Sequence, residues 1–114
     1  MTKKNALLSP IAFQIVLALS LKPRHGYEIM KQVEDDSQGR IKIGPGSLYG
    51  TINILVEAKL VRERQQAEDT RRKYYELTDN GWNTLNRELS HLENTLKVGQ
   101  QRLGLDNKFV GAPA

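Results

Sequence analysis

The stretch "GPGSLYGTINILVEAKL", which begins at Gly44, holds Gly46, Ser47, Tyr49, Gly50 and Asn53. These residues combine missing side chains with hydroxyls and an amide. Such a set does no covalent chemistry. It offers hydrogen bonds and lets another molecule approach the backbone. Further along, "DTRRKYYELT" places Arg71, Arg72 and Lys73 in a row, cations suited to anionic oxygens. Glycine inside a helix costs about 1 kcal/mol relative to alanine, so Gly50 in the first turns of an amphipathic helix asks for a reason. On a wheel of about 100° per residue, Leu48, Ile52, Leu55 and Val56 share an apolar arc, with Thr51 at its margin. Gly46, Tyr49, Gly50, Asn53 and Glu57 fall on or beside the opposite side. Gly50 therefore faces outward, where an absent side chain admits a phosphate or a base edge. The helix start, with its unpaired N–H groups, suits a phosphate as well. A "GPG" turn followed by a helix that merely tolerates Gly50 is the plainer alternative.

Nothing else in the chain suggests catalysis. No glycine-rich phosphate loop follows a strand, and no nucleophile stands with a base. The absence of cysteine excludes a disulfide framework and a thiolate metal site. His25 and His91 are the only histidines, and neither has a second ligand at metal-binding spacing. His25 is placed for a local hydrogen bond or a phosphate. The acidic run Glu34–Asp36 reads as a solvated helix end. No enzyme activity, metal or cofactor is expected.

These residues need elements to hold them. Ser9 followed by Pro10 starts a helix that runs to about Leu21. "KPRHG" breaks the chain. A second helix fits Tyr27 to Asp36, with Tyr27, Met30 and Val33 inward, and "IKI" is a short extended piece. The third helix runs from near Ser47 to near Ala58. "LVRERQ" and "RKYYEL" read as two strands around the polar turn "QAEDTR". Tyr75 and Leu77 alternate toward one face, Tyr74 and Glu76 toward the other. Arg62 and Arg64 point together and extend the basic surface, which Glu68 and Asp69 dilute at the tip. Thr78 caps a long helix that reaches Leu103 and stops at Gly104. Three helices, a hairpin and a long helix give a mainly α fold with a small β-hairpin: a winged helix-turn-helix plus a long C-terminal dimerisation helix. Residues 1–78 would form the winged unit, 79–104 the dimerisation helix and 105–114 a flexible tail.

At 114 residues the chain has length for one domain. A net charge of +4 is a mild pointer to an anionic partner. The most apolar run, "SPIAFQIVLALSL", is far shorter than the ~20 residues that span a bilayer. A cytoplasmic protein without a membrane partner is expected.

In the last helix Trp82, Leu85, Leu89, Leu92, Leu96, Gly99 and Leu103 are spaced 3, 4, 3, 4, 3, 4. That is a coiled-coil seam. A helix of about 25 residues spans roughly 37 Å, more than a small winged unit covers, so a second copy is expected on the seam. The first helix is apolar nearly all round, with Ile11 and Ile15 on one stripe, so one of its faces is free to meet the partner chain. A dimer presents two reading helices, and the matching double-stranded operator DNA is an inverted repeat.

"HGYEIMKQVED", "GPGSLYGTI" and "DTRRKYYELTDNG", in that order and followed by a long helix, resemble the PadR family of bacterial transcriptional regulators. The resemblance runs from about Leu8 to Leu103. It implies a homodimeric winged-helix repressor that binds operator DNA and releases it when a small, often aromatic effector binds. It places Gly46, Ser47, Leu48, Tyr49 and Gly50 on the reading helix and Arg71, Arg72, Lys73 and Tyr75 on the wing. One departure stands out. Asn53 and Ile54 occupy positions where family members often carry a cation, which shifts the electrostatic burden to Lys42, the wing, and Lys3, Lys4 and Arg24. Leu92 holds the central seam position where some members stack effectors on an aromatic residue. A winged helix used only for protein interaction, with a merely solvated wing, is the competing reading.

Overall fold

The computed structural model describes residues 7–65 and 71–104. Helix α1 (Pro10–Leu19) opens as its sequence requires. The Ser9 hydroxyl accepts a hydrogen bond from the Ala12 amide at 3.1 Å, and proline at the first position forfeits no bond. The helix ends two residues earlier than expected, where the Ser20 hydroxyl turns back onto the Leu17 carbonyl at 2.6 Å. Strand β1 (Arg24–His25) follows and leads directly into α2 (Gly26–Asp36). Helix α3 (Pro45–Glu57) starts earlier than Ser47, because Pro45 takes the first helical position. Strands β2 (Val61–Arg64) and β3 (Tyr74–Leu77) precede α4 (Asp79–Leu103), which Thr78 caps and Gly104 ends in a left-handed conformation at φ 71°.

The sheet has three antiparallel strands in the order β1-β3-β2, not the two of a simple hairpin. Val61 pairs with Leu77 and Arg64 with Tyr74, while Arg24 and His25 pair with Tyr75 and Tyr74 on the other edge of β3. A two-residue strand carries no alternation, which is why "KPRHG" reads as a break. The turn residues Glu68 and Asp69, the N-terminal Lys3 and Lys4, and the tail 105–114 lie outside the described residues.

One core joins the four helices and strands β2 and β3. Ile15, Val16 and Leu19 of α1 meet Ile29 and Val33 of α2, Leu48, Ile52 and Leu55 of α3, and Val61, Tyr75 and Leu77 of the sheet. The α2 face differs from its expected one. Ile29 and Val33 are buried, Met30 packs against the core, and Tyr27 is exposed on the first turn. Helix α4 enters this core too, through Gly81, Thr84, Leu85 and Glu88. The junction is tight. The Thr78 hydroxyl donates to the Lys59 carbonyl at 2.6 Å, the Thr78 amide donates to the Leu60 carbonyl at 3.0 Å, and a Cβ on Gly81 would collide with that same Leu60 carbonyl. Glycine is therefore required at 81 for close approach.

Two residues expected between subunits lie instead inside their own chain: Ile15 is 0% exposed and Leu85 4%. Ile15 belongs to the α1 stripe that α2 and α3 cover, and Leu85 falls in the first turns of α4, still over the body. Ile11 is half-buried against the same core. Beyond the body the apolar stripe of α4 is open. Leu89, Leu92 and Leu96 are 42%, 50% and 60% exposed, and Trp82 is also exposed.

Candidate nucleic-acid interface

The buried arc of α3 is Leu48, Ile52 and Leu55; Val56, at its edge, remains exposed. These contacts turn Gly46, Ser47, Gly50, Asn53 and Ile54 outward. A Cβ built on Gly44, Gly46 or Gly50 meets nothing within 4 Å, so neither packing nor chain geometry inside the domain requires glycine there. Gly44 caps the helix without a side-chain bond. The amides of the first turn are thus left without a capping side chain.

Tyr49 leaves this outer face sideways. Its hydroxyl lies against Gly26 at the start of α2, where a Cβ would collide with it. This contact accounts for the glycine of "HGYEI" and locks α2 to α3. Tyr49, Asn53 and Val56 then form one wall of a cleft of about 720 Å³. His25 and Gly26 close its end, and Arg71, Arg72, Lys73 and Tyr75 form the opposite wall. The structure therefore brings α3 and the wing cations to a common opening. Burial, and then the Glu63 carboxylate and Tyr49, push the Tyr75 phenol above its ordinary range, so it faces the cleft as a neutral hydrogen-bonding group.

The charges are distributed less simply than the sequence suggests. Arg62 and Arg64 do point together, but onto Glu76, at 2.8 and 3.1 Å. Hydrogen bonding from Arg62, reinforced by Arg64, holds the Glu76 carboxyl below its usual range despite some desolvation. One carboxylate offsets one of the two positive charges, so the pair adds less to the basic surface than two free arginines would. Lys73 lies 3.6 Å from Glu63 and Lys42 lies 3.8 Å from Glu34, both exposed pairs of small energetic weight. Arg24 turns inward and donates to the Ala18 carbonyl at 3.0 Å. Arg71 and Arg72 also have partners, and Arg72 Nη1 is 2.8 Å from His25 Nε2.

Residues 15–87 match the model of the transcriptional regulator PadR-like family. The chain belongs to this family. It is similar to the transcriptional regulator YqjI of Escherichia coli K12, with 38% identity over 72 residues, 61% of this chain and 34% of that protein. The chain thus spans about a third of the length of the curated relatives it matches. The crystal structure of a PadR family transcription regulator from Clostridium difficile R20291 is similar at 28% identity, with a TM-score of 0.71 over 83% of this chain and 99% of that one. A transcriptional regulator from Clostridium thermocellum, at 24% identity and a TM-score of 0.68 over 80% of this chain and 90% of that one, shares the fold. The family and these neighbours are transcription regulators, not enzymes. Among the described residues no three of His, Cys, Asp or Glu are grouped to hold a metal ion, and no helix is long and apolar enough to cross a membrane.

For a PadR-like chain the surprises lie in residues that support the interface from behind. Gly26, Gly81 and Thr78 sit in the motifs that carry the resemblance, yet their work is packing. Periodicity gives no access to it, because each contacts a residue distant in sequence. His25 is the larger omission. Its position before "GYEI" signals a helix cap, but its second contact spans 47 residues.

Proposed function

We propose that this chain is the operator-binding unit of a homodimeric PadR-type repressor that a small aromatic effector releases from DNA. The observation that carries the reading is the common opening of α3 and the wing. Gly46 and Gly50 clear the outer face of α3, while Arg71, Arg72 and Lys73 stand across the cleft. In this arrangement α3 enters the major groove, with Ser47, Tyr49 and Asn53 bonding to base edges or phosphates, and Ile54 meeting a thymine methyl. The wing neutralises the flanking phosphates, with Lys42 at the margin.

Pairing through α4 supplies the second half-site. The exposed Leu89, Leu92 and Leu96 continue the heptad beyond the body, and Trp82 lies at its near end. An effector fits best where α1 meets α4. A groove of about 360 Å³ there is lined by Leu7, Leu8, Pro10, Phe13 and Leu92 with Gln14, Glu88 and His91. The lining is mostly apolar and suits a flat apolar ligand. Glu88 is already engaged by the Leu8 amide.

One observation favours a protein-interaction module instead: Arg62 and Arg64 are spent on Glu76, and the outer face of α3 has no cation. Selection from a random duplex library separates the two readings. The repressor reading expects an enriched inverted repeat whose affinity falls steeply with salt. Failure to enrich any sequence, with only weak binding at low salt, would establish the interaction reading.

A further inference from the structure

His25 stands where α2, β3 and the wing meet. The residue is 8% exposed, and its ring lies edge-on to that of Tyr74 with centroids 5.3 Å apart. Both ring nitrogens face donors. Nδ1 is 3.4 Å from the Glu28 amide nitrogen at the start of α2. Nε2 is 2.8 Å from Arg72 Nη1. The Glu28 carboxylate is the remaining charged neighbour, with Oε1 3.2 Å from the His25 amide and 3.7 Å from Nε2.

A neutral imidazole has one acceptor nitrogen, and its other nitrogen carries hydrogen. The ring therefore cannot accept from the Glu28 amide and from Arg72 together. The 2.8 Å contact is short and charge-assisted, whereas the 3.4 Å contact is long. The distances favour Nε2 as the acceptor, used for Arg72. The carboxylate of Glu28, accepting from the His25 amide, then carries the reciprocal half of the cap.

We propose that His25 is a positioning residue for DNA binding, its Nε2 accepting a hydrogen bond that anchors the Arg72 guanidinium in the cleft beside α3. The proposal rests on the operator-binding reading above. An arginine has five N–H donors, so the bond to His25 engages only one edge of the guanidinium. Anchoring before the encounter reduces the rotamer freedom lost on binding. Arg72 has further interactions, and His25 fixes one edge of it.

Two substitutions divide the roles of the ring. Asparagine at 25 keeps a short polar side chain at the start of α2 but does not reach Arg72. Glutamine brings an oxygen to the Nε2 position. Anisotropy on the selected duplex reads the outcome. We expect His25→Asn to retain its melting temperature and to lose about five- to tenfold in affinity, but to cost nothing further in a chain that already carries Arg72→Ala. His25→Gln should recover most of that affinity. Ring-nitrogen NMR of the free protein should show hydrogen on Nδ1. Hydrogen on Nε2, or His25→Asn binding as tightly as the unaltered protein while Arg72→Ala binds weakly, overturns the anchor. Absence of salt-dependent DNA binding by the unaltered protein overturns the operator reading itself, and the NMR result then still decides where the ring accepts.

Discussion

Two faces of this chain are largely open, and they are chemical opposites. The outer face of α3 presents glycines, a hydroxyl and an amide; the outer face of α4 presents Leu89, Leu92 and Leu96. Each departs from what an isolated helix would prefer. Glycine on α3 gives up about 1 kcal/mol of helix stability per residue. Leucine on α4 leaves apolar surface in water at about 25 cal/mol per Å². The first departure makes room and the second seeks cover. A polar, close-fitting partner suits α3, and an apolar partner of matching length suits α4. The same rule of exposure thus points to two different kinds of neighbour.

The comparison breaks most sharply on α4. Leu89→Lys with Leu92→Lys puts charges where a dimer would enclose them, at several kcal/mol per unpaired ion. Both positions are open in the single chain, so sedimentation should find a folded monomer. Leu85→Lys should instead unfold the chain, because Leu85 is enclosed by its own body. A folded dimer from the double variant would remove α4 as the seam.

On α3 the expected effect is on binding rather than folding. Gly50→Leu meets open space and should keep or raise the melting temperature. It should weaken operator binding by more than about tenfold, roughly 1.4 kcal/mol, because its side chain fills the approach to the groove. Normal operator affinity would mean that the open face is not the reading face.

The wing should respond differently again. Replacing Arg71, Arg72 and Lys73 with alanine should weaken operator and scrambled duplexes alike. It should also flatten the log–log salt dependence by about one unit per lost phosphate contact. An unchanged slope would return these cations to ordinary solvated surface.

The smallest expected effect sharpens the charge account. Glu76 has a lowered folded pKa, so it stabilises the fold above the ordinary carboxylate range, and that stability is lost as pH falls through the folded value. Glu76→Gln should lower the melting temperature at neutral pH by at most a few degrees, since exposed pairs contribute about 0–1 kcal/mol. It should also remove this component of acid sensitivity. With Arg62 and Arg64 released, affinity for scrambled duplexes should rise slightly.

How much of this could be read in the sequence follows from the range of each interaction. The outward position of Gly50 was legible because helical period fixes it relative to Leu48, Ile52 and Leu55. The apolar stripe of α4 was legible for the same reason, but period alone cannot say where the body stops covering it, so Leu85 and Ile15 appeared available to a partner. Tyr27 misled because its three-residue spacing from Met30 and Val33 drifts round the helix, while Ile29 supplies the true inward contact. Strand β1, the pairing of Arg62 and Arg64 with Glu76, and the contact of His25 with Arg72 depend on residues that only the folded chain brings together.

The fastening at residue 78 has a mechanical consequence. Thr78 bonds to the carbonyls of Lys59 and Leu60, and Gly81 rests on the second of these. Helix α4 is therefore bolted to the base of the β2–β3 ribbon with little slack. In a pair of chains joined along α4, a turn imposed at the far end would not be absorbed there. It would swing the bodies as levers and alter the distance and phase between their reading helices. An effector would then need only to change the crossing of two rods to put the bodies out of step with the DNA helical repeat.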